Sequence, residues 1–407
     1  MQLCALHKRV IGLDVHQAQI TACALIEQAD GSTRIEHRQF GAFARDRREL
    51  AQWATSLQPD EVVMESTGIY WKSPYAALEA VGIAAKVVNA RHVKNVPGRK
   101  TDVGDAQWLA TLSRAGLLRA SFVPPAHFRQ LRLIARERQK LVGQLASDKN
   151  RVHKLLTDDG IRLSVVLSDI HGKSARAMIK ALIAGHPPEE VLRLASRRLK
   201  ASRQELLDAL QGNLTDSHCF VLEELMRKIE DIEARIARFE ARLLRELQPQ
   251  RDILALLQTL PGIDLIGAAM LLVEIGSDMS VFGNPDRLAS WVGMCPGNNE
   301  SAGKRKGSKM RKGNSYVRRL LCEFAHAASR TASVFQSKFQ ALRVRRGHKR
   351  AIVAIGHKLL RTIFFMLQRR KYYRDSSVDY EELSVRRNAP RWIKSLTRFG
   401  FIAPASA

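Results

Sequence analysis

At about 150 residues per domain, a chain of 407 residues has room for two or three domains with cores of their own. Lys and Arg number 66 against 40 Asp and Glu, a formal charge of +26, while 45% of the residues are hydrophobic and 26% charged. That balance excludes a disordered basic tail, and the excess of positive charge calls for a polyanionic partner. The cysteines, Cys4, Cys23, Cys219, Cys295 and Cys322, have neither CxxC nor Cys/His ligand spacing. This argues against a zinc finger or a disulfide framework and for a reducing compartment. Charges at Lys8, Arg9 and Asp14 interrupt any signal-like run, and the longest apolar stretch, Leu265 to Val273, stops at Glu274. The composition reads as a soluble cytoplasmic protein that meets nucleic acid and no membrane.

From Val10 to about Pro125 the pattern is that of an α/β domain. Strand signals cover Val10 to Leu25, Arg34 to Phe40, Glu61 to Met64 and Ala84 to Val88. Helices are predicted over Asp46 to Leu57, Pro74 to Ala80 and Gly104 to Arg114. The Pro124-Pro125 pair marks a boundary, beyond which the chain reads as all-α and basic. Phe128 to Leu156 is one long helical pattern, and Leu167 to Leu210 continues in short helical pieces. Leu222, Leu225, Ile229, Ile232, Ile236, Phe239 and Leu243 then recur in alternating steps of three and four, a coiled-coil seam that favours pairing between copies. Thr259 to Ile275, with Leu260-Pro261-Gly262-Ile263, has the shape of a helix-hairpin-helix, whose turn can bind a phosphate through backbone N–H groups. Asp264 would repel that phosphate, so a plain helical hairpin is nearly as well supported.

Asp14 sits inside the apolar strand signal Val10-Ile11-Gly12-Leu13-Asp14-Val15, where a carboxylate is costly unless bonded or bound to a cation. Glu65 ends a second short apolar strand, and Asp102 and Asp105 share one face at the start of a helix. Taken alone, Asp102 and Asp105 are also a plain N-cap and a favourable first-turn charge, and His16 reads as a neighbour on the Asp14 strand. Together, four carboxylates make a hard-oxygen set suited to Mg²⁺ or Mn²⁺. A second constellation runs from Met294 to Leu320. There Lys304, Arg305, Lys306, Lys309, Arg311, Lys312, Arg318 and Arg319 face one acid, Glu300, in what reads as a flexible glycine-rich loop that tracks a phosphate backbone. Ser301 lies among these cations as a candidate nucleophile, with Ser308 and Ser315 as competitors.

Gly12-Leu13-Asp14-Val15-His16, Met64-Glu65-Ser66-Thr67-Gly68-Ile69-Tyr70-Trp71 and Lys100-Thr101-Asp102-Val103-Gly104-Asp105-Ala106 resemble the DEDD transposases of the insertion sequence 110 family. The C-terminal part is similar to that family through Leu260-Pro261-Gly262-Ile263, Ala289-Ser290-Trp291-Val292-Gly293-Met294, Ser301-Ala302-Gly303-Lys304 and Lys312-Gly313-Asn314 ahead of Arg318-Arg319. The resemblance implies an RNase H-like, RuvC-type domain over residues 1–125. It further implies a helical region with a coiled coil (about 220–248) over 126–250, a mainly helical transposase domain with a serine nucleophile over 251–370, and a tail of unplaced role over 371–407. It implies Asp14, Glu65, Asp102 and Asp105 as an acidic tetrad holding Mg²⁺, and Ser301 as the residue that forms a phosphoserine link to DNA. It also implies a noncoding bridge RNA that pairs with donor and target DNA, and dimers joining into tetramers in which one subunit's tetrad works with another's serine. The setting it implies is the prokaryotic cytoplasm, at the nucleoid. Ala302, where the family often has glycine, and Asp264 depart from the pattern. Two other functions fit the residues: a metal nuclease of the junction-resolving kind that uses water, and a nucleic-acid-binding protein without activity.

Overall fold

Seven residues, Arg9–Val15 (β1), form the buried centre of a five-stranded sheet in the computed structural model, which describes residues 5–65, 68–89, 102–196, 199–295, 299–301, 304–307 and 310–402. The chain divides into two compact units, Met1–Ala126 and His127–Ala407.

In the first unit β2 (Gln19–Glu27), β3 (Thr33–Gly41), β4 (Glu61–Glu65) and β5 (Ala85–Val88) complete a sheet of order β3-β2-β1-β4-β5. The pairs β1/β2 and β2/β3 are antiparallel, and β1/β4 and β4/β5 are parallel. The single strand expected over Val10 to Leu25 is therefore two strands, closed by a tight turn in which the His16 amide donates to the Gln19 carbonyl at 3.0 Å. Alternation divides the side chains of β1 between two faces. Ile11, Leu13 and Val15 pack with Leu50, Trp53 and Ala54 of α1 (Ala44–Leu57) and Leu78 of α2 (Lys72–Ala80). On the opposite face Val10 and Cys23 meet Ala106 and Ala110 of α3 (Asp102–Arg114), and Val63 and Val88 meet Leu109 and Leu112. Helix α3 starts two residues before the expected Gly104.

Among the described residues the second unit is mainly helical, with one two-stranded hairpin. Its helices are α4 (Ala126–Asp158), α5 (Leu163–Val166), α6 (Lys173–Ile183), α7 (Pro188–Val191), α8 (Arg203–Leu210), α9 (Asp216–Glu246), α10 (Arg251–Gln258), α11 (Leu265–Ile275) and α12 (Pro285–Val292). The two-stranded hairpin β6 (Asn299–Ser301) and β7 (Lys304–Gly307) follows, then α13 (Ser315–Ala328), α14 (Val334–Arg346), α15 (His348–Arg369) and α16 (Tyr380–Arg398). Helix α15 is long and apolar enough to cross a bilayer, but Ile352, Ile355, Leu359, Leu360 and Ile363 are buried in the unit, as in a core helix. The tail beyond residue 370, for which the sequence suggests no element, holds α16.

The α9 seam is the main departure from expectation. Leu222, Leu225, Ile229, Ile232, Ile236 and Leu243 are buried, and they are covered by the chain itself. Ile232 and Ile236 pack on Leu141 of α4, while Leu222, Leu225 and Ile229 share a core with Val152 and Leu156 of α4 and Met178, Ile179 and Leu182 of α6. Ion pairs follow the same antiparallel course: Arg138–Glu240 at 2.6 Å, Lys149–Glu233 at 3.1 Å and Lys228–Asp148 at 2.9 Å. The spacing identified a seam correctly, but α4 and α6 of the same chain fill it, so it offers no surface for pairing between copies.

Glu274, inside the apolar helix α11, is 2% exposed and ties three elements together. Its carboxylate accepts from Arg136 Nε at 2.7 Å and Nη2 at 3.0 Å, and Arg132 Nε lies at 3.3 Å. Asn314, the N-cap of α13, donates its side-chain amide at 2.8 Å. The Arg132 guanidinium also bonds the Glu274 carbonyl, and the Arg136 guanidinium lies 4.4 Å over the Tyr316 ring. Burial pushes Glu274 toward the neutral form, but Arg136, Arg132 and Asn314 outweigh it and hold the carboxyl below its ordinary range. Burial pushes Arg132 down to about 10, which leaves it charged at neutral pH.

Glu274→Gln keeps the shape and leaves two half-buried guanidinium groups without their buried counterion, so it should cost about 3 kcal/mol of unfolding free energy at pH 7. Because the folded pKa lies below the unfolded value, this contribution is complete above about pH 4.3 and is lost as pH falls through the folded pKa. Urea unfolding of both proteins from pH 7 to acid should show the difference shrinking below about pH 4. A difference independent of pH would contradict this.

Candidate active site

In the first unit the candidate site is set by direction. The C-terminal end of α3 lies at the start of the central strands: Ser113 Oγ donates to Glu61 Oε1 at 2.9 Å, and Arg114 reaches Glu27 at 3.2 Å. The N-terminal end of α3, with Asp102 and Asp105, therefore lies at the opposite pole, where β1 and β4 end. Register puts Leu13 beside Met64 on these parallel strands, which sets Asp14 beside Glu65 one step further. Alternation aims both carboxylates at the α3 face, with Gly12 and Val63.

Gly12 makes this possible. A Cβ there would lie 2.1 Å from the Ala106 carbonyl oxygen and 2.7 Å from the Ala110 amide nitrogen, so α3 rests its backbone directly on β1. In sequence Gly12 stands only as part of the Gly12-to-His16 motif. The signal was available, since glycine inside a strand commonly marks a close backbone approach.

Asp14 is largely buried, its side chain 15% exposed, and His16 Nε2 lies 3.0 Å from Asp14 Oδ2. His16 is thus a direct partner of Asp14 rather than only its neighbour. Asp105 is exposed on the first turns of α3, and Asp102 is described by its backbone alone. Among the described residues no three metal-ligating side chains close on one point. What the fold brings together is Asp14 and Glu65, under the end of the helix that carries Asp102 and Asp105. Apart from the His16 imidazole, the donors at this pole are carboxylate oxygens, a set that suits Mg²⁺ or Mn²⁺ and not a thiolate-loving metal.

In the second unit the candidate residues stand on the β6/β7 hairpin, read from sequence as a flexible loop. Ser301 is the last residue of β6 and pairs with Lys304, and Glu300 pairs with Arg305. The serine therefore stands in a fixed register opposite a lysine. Ser301, Lys304, Arg305 and Lys306 are described by their backbone, and Lys309 and Ser308 lie outside the described residues.

The base of the hairpin is clamped. The Arg311 amide donates to the Cys295 carbonyl at 3.2 Å, and the Asn314 amide donates to Trp291 at 3.1 Å. A Cβ on Gly313 would lie 2.4 Å from the Gly293 nitrogen, so the two legs touch backbone to backbone. Gly293, at φ 79°, ends α12 in the left-handed region. Asn314 closes the clamp through its carbonyl, which accepts from the amides of Tyr316 and Val317, and its NH₂, which reaches Glu274. Of the remaining cations, Arg311 bonds Ser290 at 3.2 Å and Arg319 pairs with Glu323 at 3.2 Å. Lys312 is exposed and Arg318 half-buried.

The turn before α11 resolves toward a plain helical hairpin. Asp264 is the N-cap of α11, its Oδ1 accepting from the Gly267 amide at 2.7 Å. Gly262, at φ 90°, presses against the Phe324 carbonyl and the Ala328 amide of α13. Its glycine serves packing, and the cap occupies a donor that a phosphate would need.

Two family models match the chain: one described as Transposase, of the DEDD type of IS110, over residues 11–159, and one described as Transposase IS116/IS110/IS902 family over residues 254–340. Together they span more than half of the sequence. The chain belongs to the IS110 family of transposases. A relative from Pseudomonas aeruginosa, "Probable family 20 transposase", is 26% identical over 376 residues, covering 89% of this chain and 98% of its own. The solved structure of RuvC from Thermus thermophilus overlaps 28% of this chain and 99% of its own at 12% identity and a TM-score of 0.23. Within this IS110 chain, the first family match contains Asp14, Glu65, Asp102 and Asp105, and the second contains Ser301.

Gly12→Ala should force α3 off the sheet and lower stability by about 1–3 kcal/mol. Gly143→Ala, in α4 with nothing near its added Cβ, should be neutral or stabilising by up to about 1 kcal/mol. Parallel urea titrations check both, and equal effects would show that the close approach is not a constraint.

Proposed function

We propose that this IS110 transposase cuts and rejoins DNA through Ser301, with a divalent metal held by the carboxylates at the strand ends, in an RNase H-like N-terminal unit. The observation that carries the metal half is the convergence of Asp14 and Glu65 under the N-terminal end of α3, with the Gly12 approach fixing the helix there. The serine half is supported by the register of the hairpin, which sets Ser301 against Lys304 on a clamped base.

In this reading Asp14, Glu65, Asp102 and Asp105 would hold Mg²⁺ or Mn²⁺. The ion would supply Lewis-acid polarisation of a phosphodiester oxygen when bound. Ser301 Oγ attacks the phosphorus, its proton leaves to solvent or a nearby base, and the displaced deoxyribose oxygen departs as the hydroxyl of the cut strand. Lys304 and Arg305 lie along the same hairpin, where their charge stabilises the added negative charge on the phosphate. The phosphoserine ester keeps the bond energy, so attack by a strand hydroxyl reverses the step and joins DNA without a nucleotide cofactor.

The net charge of +26 fits two polyanions, the DNA and a noncoding bridge RNA that supplies target choice by base pairing. Assembly into dimers and tetramers belongs to the same reading. The contact between copies must lie outside the α9 seam, which the chain fills itself.

Ser301→Ala removes one hydroxyl and no charge. It should abolish strand cleavage, by at least about 10³-fold, while DNA binding by gel shift stays within about twofold. Asp14→Asn should abolish cleavage as well, with no recovery at raised Mg²⁺. Cleavage preserved in the serine variant but lost in the aspartate variant would favour a metal nuclease that uses water.

A further inference from the structure

Between Glu323 and Asp375 the chain has thirteen Lys and Arg and no Asp or Glu. Five of these cations fall in eight residues around one turn. Arg343, Arg345 and Arg346 end α14, Gly347 makes the turn at φ 76°, and Lys349 and Arg350 start α15. All five are exposed, and among the described residues none is paired with a carboxylate.

The arrangement opposes helix physics on one side. Cations at the end of α14 suit its dipole, but Lys349 and Arg350 stand in the first turn of α15, where acids are favoured and cations destabilise. That turn has no acidic residue and no side-chain cap. A local rule broken without a compensating contact inside the protein points to a partner outside it. The turn is also held firmly, because α15 buries Ala351, Ile352 and Ile355 immediately behind it.

We propose that the α14–α15 turn is a second contact for the phosphate backbone of duplex DNA, apart from the serine hairpin. The inference rests on the reading of the chain as a DNA transposase. Charge complementarity requires a polyanion, and the local chemistry selects a duplex. Recognition of single strands needs free aromatic faces on which bases stack. The one ring among residues 343–350 is His348, and it is already engaged, stacked on His326 at 5.3 Å and edge-on to Phe339 at 5.4 Å. A rigid helical turn bearing cations and no free ring positions a backbone and reads no base.

The test compares wild type, Ser301→Ala and the triple variant Arg345→Gln, Arg346→Gln, Lys349→Gln, all full-length, binding a short B-form duplex of unrelated sequence by fluorescence anisotropy across salt. Each lost phosphate contact makes the log–log salt slope shallower by about 0.9. The triple variant should therefore lose about 2–3 in slope, with affinity at low salt reduced at least about tenfold. Ser301→Ala should keep the wild-type slope. Matched thermal melts establish that the exposed substitutions leave the fold intact, and Arg343→Gln with Arg350→Gln should give a smaller change of the same sign. An unchanged slope in both variants overturns the proposal, as does a loss confined to single-stranded RNA. Failure of the catalytic reading would appear as cleavage by Ser301→Ala and leaves the slope comparison unaffected.

Discussion

The ion cluster around Glu274 is the interaction on which the helical unit depends. One carboxylate, buried in an apolar helix, is met by two arginines from α4 and by the capping asparagine of α13. A single charge in that position would be costly; three charge-assisted hydrogen bonds and the Arg132 ion pair make it a fixed point. Because Asn314 is also the last residue of the clamp at the foot of the hairpin, the cluster determines where the serine-bearing strand leaves the core. The clamp is then completed by backbone contact between Gly293 and Gly313, which only glycine permits.

The first unit uses a parallel device with opposite chemistry. There the fixed point is the absence of a side chain at Gly12, which lets α3 lie against β1. A buried acid still takes part, since Glu61 fastens the far end of α3 through Ser113 and bonds Lys86. The helix is pinned at one end by hydrogen bonds and in its middle by sterics, so its acidic first turn is delivered to the pole where Asp14 and Glu65 emerge. In both units the residues proposed for chemistry stand at or near element ends, and the contacts that place them lie in the packing behind.

Much of this was legible in sequence. Asp14 could be singled out because an acid in an apolar strand needs a reason, and the strands at Glu61 and Ala84 follow from the β-branched pairs Val62-Val63 and Val87-Val88. Other features were hidden for physical reasons. The turn at His16 to Ala18 carries neither Gly nor Pro, so Val10 to Leu25 reads as one strand. The hairpin at Ser301 is rich in Gly, Lys and Arg, residues with low strand propensity, and it is set by pairing rather than by composition. The seam of α9 announces that a partner helix exists, but periodicity does not say from which chain it comes. Glu274 was visible as the charge that ends an apolar run; that it is the hub of a cluster depends on Arg132, Arg136 and Asn314, which are distant in sequence.

The central claim is that Ser301 becomes covalently joined to DNA. The most direct measurement incubates the protein with its native flanking DNA and Mg²⁺, denatures the mixture, digests the protein–DNA adduct and locates the modified residue by mass spectrometry. The account predicts a nucleotide phosphate on Ser301 that is absent when Ser301 is alanine. Cut DNA with no adduct, or an adduct on Ser308 or Ser315 instead, would contradict it.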